Sequence, residues 1–317
     1  MLKKLCDIVA VSGYEDCFSN YLKNYLLRHS NSIIWQDNIG NIYVQKKASG
    51  KKILFLTHID EVGIQISRKI DAHIYAFKTI GNLKTYNLFH QIIQFENNVL
   101  GIIVNSCEHN GIQDKISELR VFSFGELDVG DVGSFKNNFL ENDEIICSKA
   151  LDNRVGVFGI IEIICSELSN LPYDLYYCFS VQEEIGARGA KVAISTIAPD
   201  IVFTIDTTCV GERNNVNLGD GIAIKLSDSL AISDRKMTNK LKQLCINSNI
   251  KYQLEVSDCG TTEMIMVNEK DKGAISCGIS IPCKDIHTSI SVVNKNDMLE
   301  YKNLLKAIHL NLKQLVN

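Results

Sequence analysis

Histidine, aspartate and glutamate are concentrated in five short segments of the 317-residue chain: Thr57-His58-Ile59-Asp60, Ala150-Leu151-Asp152-Asn153-Arg154, Glu183-Glu184, Ile205-Asp206-Thr207 and Asp285-Ile286-His287. Two imidazoles and several carboxylates offer mixed nitrogen and oxygen donors suited to Zn²⁺ or a similar first-row ion. One ion needs only three or four donors, so a larger set argues for two ions sharing a carboxylate. Two divalent ions are balanced by three ligand carboxylates and one bridging hydroxide, which leaves one glutamate free to take a proton.

Taken singly, each motif has an ordinary reading. A lone His-x-Asp is as well explained as a structural pair, since residues two apart on a strand share a face. Glu183-Glu184 alone reads as a solvated turn, because ionised carboxylates are rarely buried unpaired. Asp152 stands where a helix N-cap would. Asp206 resists such a reading, because it ends the run IVFTI and a carboxylate there needs a buried partner or a cation. His287 alone decides nothing. Cys259 and Cys283 lie near these motifs and mimic ligands or a nucleophile, yet cysteine is usually buried as a small hydrophobe.

Four of the segments directly follow an apolar strand and the fifth opens a helix. Ligands of open α/β sheets bind outside the carboxyl ends of the strands, so this placement lets all five converge on one crevice. The positioning elements read in order. Ser12-Gly13-Tyr14-Glu15 fits a capping box, and Phe18, Tyr21, Leu22, Tyr25 and Leu26 recur at helical spacing, which predicts an amphipathic helix over about 13–29. SIIWQ (32–36), a turn at Asp37-Asn38-Ile39-Gly40, NIYVQ (41–45) and the apolar run ILFL (53–56) open a sheet covered on both faces. From Val62 to about Cys147 short alternating segments, EIICS among them, predict a small all-β module. Val155 to Leu168 reads as a buried helix, YDLYYCFSV (173–181), DIVFTID (200–206) and GAISCGIS (273–280) as buried strands, and Asp297 to Leu315 as an amphipathic helix. The expected fold is a three-layer α/β/α sandwich with a mixed central sheet, interrupted once by a barrel-like all-β insert. Residues 1–62 with 148–317 form the expected larger domain and 63–147 the insert.

Hydrophobic residues make up 45% of the chain, ample for a large core, and the length suits one large domain plus a smaller one. The 33 basic and 37 acidic residues are interspersed, which argues against nucleic-acid or anionic-membrane partners. No apolar run approaches the roughly 20 residues of a membrane span. The 11 cysteines contain no CxxC pair and several lie in apolar runs, the pattern of buried thiols in a reducing, cytoplasmic compartment.

In combination, LKKLCDIVAVSGYE, DNIGNIYVQ, LTHIDEVG, KALDNRVG, QEEIGARGA, IDTT and IPCKDIHTSISVVNKND resemble the dinuclear metallo-aminopeptidases. That group includes the TET peptidases, glutamyl aminopeptidases and relatives labelled endoglucanase M. The resemblance spans nearly the whole chain. It implies Asp152 as the bridging ligand, with His58 and Asp206 completing one metal site and Glu184 and His287 the other. It implies Glu183 as general base, and Asp60 as the residue holding the His58 imidazole in its ligating tautomer. Also implied are two divalent ions per chain (zinc first, cobalt or manganese as alternatives), removal of residues from the amino terminus of peptides, and homo-oligomers through the insert, as dimers or dodecamers built from dimers. One departure is visible: Cys259-Gly260-Thr261-Thr262-Glu263 replaces the relatives' common Gly-Gly-Thr-Asp. The rival readings are a metal-dependent deacylase of acyl-amino acids, a glucan hydrolase and a non-catalytic scaffold with a retained metal site. Glycosidases need two free carboxylates flanking the sugar, and the predicted ligands occupy those here.

Overall fold

The computed structural model describes residues 1–106, 115–166, 171–258, 260–268 and 273–316. Strands β1 (Ile33–Gln36), β2 (Ile42–Lys46) and β3 (Lys52–His58) begin a large sheet. The chain then builds β4 (Gly63–Asp71), β5 (Ile74–Ile80), β6 (Ile92–Phe95), β7 (Leu100–Asn105), β8 (Leu119–Ser123) and β9 (Val132–Phe135), which close into a barrel of order β4-β5-β8-β7-β6-β9. It returns through β10 (Leu140–Glu141) and β11 (Ile145–Ser148) to β12 (Asp174–Ser180), β13 (Ile201–Cys209), β14 (Ile222–Ser227), β15 (Tyr252–Val256), β16 (Ile275–Lys284) and β17 (Ser291–Asn294). The large sheet runs β1-β2-β12-β3-β13-β16-β17-β11-β10, with β14 paired to β16 and β15 to β14. β12, β3, β13 and β16 lie parallel side by side, and antiparallel neighbours make the sheet mixed.

Helices α1 (Leu2–Asp7), α2 (Asp16–His29), α3 (Thr85–Leu88), α4 (Leu151–Cys165), α5 (Arg188–Ile197), α6 (Arg235–Asn247), α7 (Met264–Asn268), α8 (Lys295–Leu310) and α9 (Leu312–Val316) are the α-helices among the described residues. Successive strand residues point to opposite faces, which explains why ILFL is apolar throughout. Ile53 and Phe55 pack with Tyr177 and Phe203 under α1, α2, α4, α6 and α8, whereas Leu54 and Leu56 pack with Tyr176 and Cys178 against Ala190, Ala193 and Ile194 of α5. Three layers result. The barrel fills its own interior with Ile64, Tyr75, Phe77, Phe95, Ile103 and Phe135. The α/β/α sandwich with a barrel insert is therefore the observed fold.

Three local expectations give way. EIICS does not join the small module: β11 pairs with β17, and β10 with β11, inside the large sheet. Alternation identifies a half-buried strand but carries no information about which sheet receives it. The expected helix over 297–315 is two helices, because Asn311 turns its side-chain amide onto the Ala307 carbonyl at 2.9 Å and leaves helical geometry. Ser12 and Glu15 do not form a capping box. Tyr14 N–H donates to the Val11 carbonyl at 2.8 Å in a turn, the helix starts at Asp16, and no side chain caps it. Of the helix expected over 155–168, its last two residues lie outside the described residues.

Candidate metal centre

The four parallel strands deliver their side chains to one end of the sheet. His58 is the last residue of β3, Asp206 lies near the end of β13, Glu183 and Glu184 follow β12, and His287 follows β16. Asp152 enters from the first turn of α4, where its dihedrals (φ −78°, ψ 107°) are not helical and turn its carboxylate into the crevice. That turn is anchored by Asn153, whose Nδ2 donates to the Ile205 carbonyl at 2.7 Å and to Thr57 Oγ1 at 3.0 Å. Gly156 makes the anchoring fit: a Cβ there would meet Asn153 Oδ1 at 2.3 Å and Thr57 Oγ1 at 2.7 Å.

The structure brings together all seven residues singled out in the sequence. His58 Nε2 lies 3.4 Å from Asp152 Oδ1 and 3.4 Å from Asp206 Oδ1. His287 Nε2 lies 3.4 Å from Asp152 Oδ2 and 3.1 Å from Glu184 Oε2. Asp152 thus shows one oxygen to each imidazole. Donor atoms of His58, Asp152 and Asp206 all lie within 4.8 Å of one another, as do those of Asp152, Glu184 and His287, and those of His58, Glu183 and Glu184. His58 Nδ1 is 3.4 Å from Asp60 Oδ1, beyond a good hydrogen bond. The short bonds of Asp60 go elsewhere: its oxygens accept from the backbone N–H of Glu183 (3.0 Å) and Glu184 (3.1 Å) and from Ser12 Oγ (2.6 Å).

Electrostatically the cluster is short of positive charge. Burial raises Glu184 and Asp206, with the Asp152 carboxylate adding to it against the neighbouring imidazoles. Glu183 is pushed well above the usual carboxylate range by burial first; His58 opposes this, and Asp206 and Glu184 add to it. Burial also works on Asp152, but the two imidazoles outweigh it and hold the group low. His287 is pushed up to about 11, since Glu184 and Asp152 overcome its burial. The buried cations Lys149 and Arg154 do not meet the demand, because both are engaged with Glu61. The buried atoms Asp152 Oδ1 and His58 Nδ1 have no hydrogen-bond partner. Two imidazoles and three or four carboxylates with orphaned donors fit divalent ions of the zinc type.

Several residues around the cluster had no signal in the sequence. The Asn82 carbonyl, from the β5–α3 connection of the insert, faces His287 Nδ1 at 3.3 Å, and Asn87 Nδ2 donates to the His287 carbonyl at 3.4 Å. Glu15 accepts from the N–H of Gln182 at 2.9 Å, beside the Glu-Glu pair. Cys283 is fully buried and its thiol is pushed well above its ordinary value by desolvation, so it is no nucleophile. Cys259 lies outside the described residues.

A cluster of imidazoles and carboxylates at the strand ends of a mixed α/β/α sheet suits metal-assisted hydrolysis. The model of the M42 glutamyl aminopeptidases matches residues 40–304, and the chain belongs to that family. A relative in Acetivibrio thermocellus is 30% identical over 319 residues, covering 96% of each chain. Aminopeptidase APDkam598 of the archaeon Desulfurococcus kamchatkensis superposes with a TM-score of 0.89 at 29% identity, over 97% of this chain and 92% of that one. The TET1 peptidase of Pyrococcus horikoshii, which can assemble into a tetrahedron or a large octahedral shell, superposes with a TM-score of 0.88 at 25% identity, over 97% of this chain and 98% of that one.

Proposed function

We propose that this chain is a two-metal aminopeptidase in which His58, Asp152 and Asp206 would hold one ion and Asp152, as the shared ligand, Glu184 and His287 would hold the other. The observation that carries this reading is the division of Asp152, whose Oδ1 and Oδ2 each stand 3.4 Å from a different imidazole. When bound, a pair of divalent ions supplies Lewis acidity, polarising the scissile carbonyl and acidifying a water. Zinc is the proposed ion, with cobalt and manganese as alternatives.

Glu183 is the proposed proton carrier. As water attacks the carbonyl carbon, a Glu183 carboxylate oxygen takes its proton and then delivers it to the amide nitrogen as the C–N bond breaks. The burial that raises Glu183 suits this work, because a proton received there is held for the leaving amine. Glu183 and Glu184 bring carboxylate oxygens within 4.8 Å of one another beside His58, with Glu184 proposed to serve the metals and Glu183 the substrate. Asp60 fixes both glutamates through their backbone and faces His58 on its far nitrogen.

Substrates are proposed to be peptides with a free amino terminus, cut after the first residue, in the cytoplasm. The nine described cysteines are all free thiols, which supports a reducing compartment. Residues 1–62 with 148–317, joined by β10 and β11, are proposed to carry catalysis, and the barrel β4 to β9 within 63–147 self-association. Elemental analysis of metal-saturated protein should find two ions per chain. Glu183→Gln should keep both ions and lose about 10²–10⁴-fold in turnover. Near-normal turnover in that variant, or rapid cleavage of amino-acetylated peptides, would refute the reading.

A further inference from the structure

The Ser12-Glu15 pair, read in the sequence as a helix cap, serves another purpose in the fold. Residues 10–12 run alongside Glu61: Val11 forms a parallel bridge with it, Glu61 N–H donates to the Ala10 carbonyl at 2.9 Å, and Ser12 N–H to the Glu61 carbonyl at 3.3 Å. This places the next turn against the segment that carries the Glu-Glu pair. Glu15, only 6% exposed, accepts on Oε1 from Gly13 N–H at 2.8 Å and from Gln182 N–H at 2.9 Å. Asp60 accepts the next two N–H groups, of Glu183 and Glu184, and Ser12 Oγ in turn donates to Asp60 Oδ2 at 2.6 Å. Three consecutive amides, 182 to 184, therefore each end on a buried carboxylate.

Gln182 has φ +56°, a left-handed conformation that a non-glycine residue adopts at a cost. Nothing in the chemistry of glutamine favours that backbone, so its surroundings must hold it. A buried carboxyl oxygen accepting its N–H at 2.9 Å restrains it, and the direction of Glu183 follows from the turn one residue earlier. The segment 183–187 closes on itself beyond this point, with Gly186 and Ala187 N–H both donating to the Glu183 carbonyl at 2.9 Å. At the entry to the turn the Gln182 carbonyl accepts from Arg188 N–H at 3.2 Å and Val181 N–H donates to Asn41 Oδ1 at 3.0 Å, while Glu15 alone holds the Gln182 N–H.

We infer that Glu15, with Ser12 supporting it through Asp60, is a positioning residue for Glu183. This rests on Glu183 being the proton carrier. Glu15 touches neither substrate nor metal in this scheme. Its loss lets the 182–184 turn relax, and a displacement of the catalytic group by about 1 Å is enough to cost about 10²-fold.

The test uses the full-length, metal-loaded protein with an aminoacyl reporter. Glu15→Ala should retain both ions and lose about 10- to 100-fold in kcat with KM nearly unchanged. Glu15→Gln keeps an oxygen acceptor for the two amides and should restore most of kcat, which a purely electrostatic role would not allow. Ser12→Ala, a milder change, should lower kcat in the same direction by less. Unchanged kcat in Glu15→Ala, loss of an ion from it, or failure of Glu15→Gln to recover would each overturn the inference. Combining Glu15→Ala with Glu183→Gln separates the two readings. If Glu15 acts through Glu183, Glu15→Ala adds almost nothing to the loss already caused by Glu183→Gln, whereas a full further loss on adding Glu15→Ala to Glu183→Gln rejects the positioning role. Near-normal activity of Glu183→Gln alone would instead reject the proton carrier.

Discussion

Without cations, His58 and His287 face carboxylates closely enough to keep their protons. Burial alone would lower both imidazoles, yet Asp152 and Asp206 around His58, and Glu184 and Asp152 around His287, raise them, His287 to about 11. Metal coordination requires the neutral ring. Loading the metal-free protein should therefore release protons, and apparent affinity should rise with pH. Calorimetry in buffers of different ionisation enthalpy measures that release, and metal uptake without it would count against these ligands. Asp152→Ala should abolish uptake at both sites, while His58→Ala should remove mainly one. The sequence made this cluster of proposed ligands legible because each stands at a strand end or helix start, where an ordinary explanation for a charged residue runs short. Asp60 was read through the two-residue spacing that puts side chains on one strand face. β3 ends at His58, so Asp60 lies beyond the strand and turns to the amides of Glu183 and Glu184. Glu15 and Asn82 escaped because hydrogen bonds across more than 160 residues of chain leave no local pattern.

At the level of elements, continuous apolar runs such as ILFL and YDLYYCFSV were legible because a strand buried on both faces has no polar side. Their order in the sheet was not, since β12 enters between β2 and β3 by pairings that no local propensity encodes. α8 shows what such packing demands of a polar residue. His309, near its end, is 1% exposed and stacks on Phe55 with centroids 4.7 Å apart. Its Nδ1 lies 2.6 Å from the Leu305 carbonyl, which only accepts, so Nδ1 carries the proton and Nε2 accepts from the Tyr177 hydroxyl at 2.7 Å. The ring is held neutral, its pKa lowered by burial from 6.5 to about 4. The unfolded chain takes up this proton as pH falls through 6.5, while the folded chain refuses it until about 4. Stability present above 6.5 is thus lost over that window, by about 3 kcal/mol. Denaturant midpoints at pH 7.5 and 5 should fall less steeply in His309→Phe than in the parent, although the variant is less stable at pH 7.5. The other titrating groups are shared, so equal pH slopes would show that His309 is not the group responsible.

For the whole molecule, the barrel poses the remaining question, because it has a complete interior and still carries apolar residues outside. Ile92 pairs with Ile102, Ile102 with Phe122, and Phe122 with Ile74, so the four form one row across β6, β7, β8 and β5. Their chain neighbours Ile93, Ile103, Val121 and Tyr75 are buried inside, which places this row on the outer face. Ile92 is 41% exposed and Phe122 46%, with Phe124 close by at 74%. Single exposed apolar residues need no explanation, but a contiguous row on one face marks a surface that another molecule covers. The proposed cover is a second copy of this chain, the self-association proposed above for the barrel. The wild-type protein should then scatter light as a multiple of its 35.5 kDa chain mass. Placing charge in the middle of the row, as Phe122→Arg together with Ile92→Arg, should shift it towards the single-chain mass while metal content per chain stays the same. A wild type that remains at 35.5 kDa at every concentration would remove self-association altogether. A charged variant that assembles like the parent would move the contact to another face.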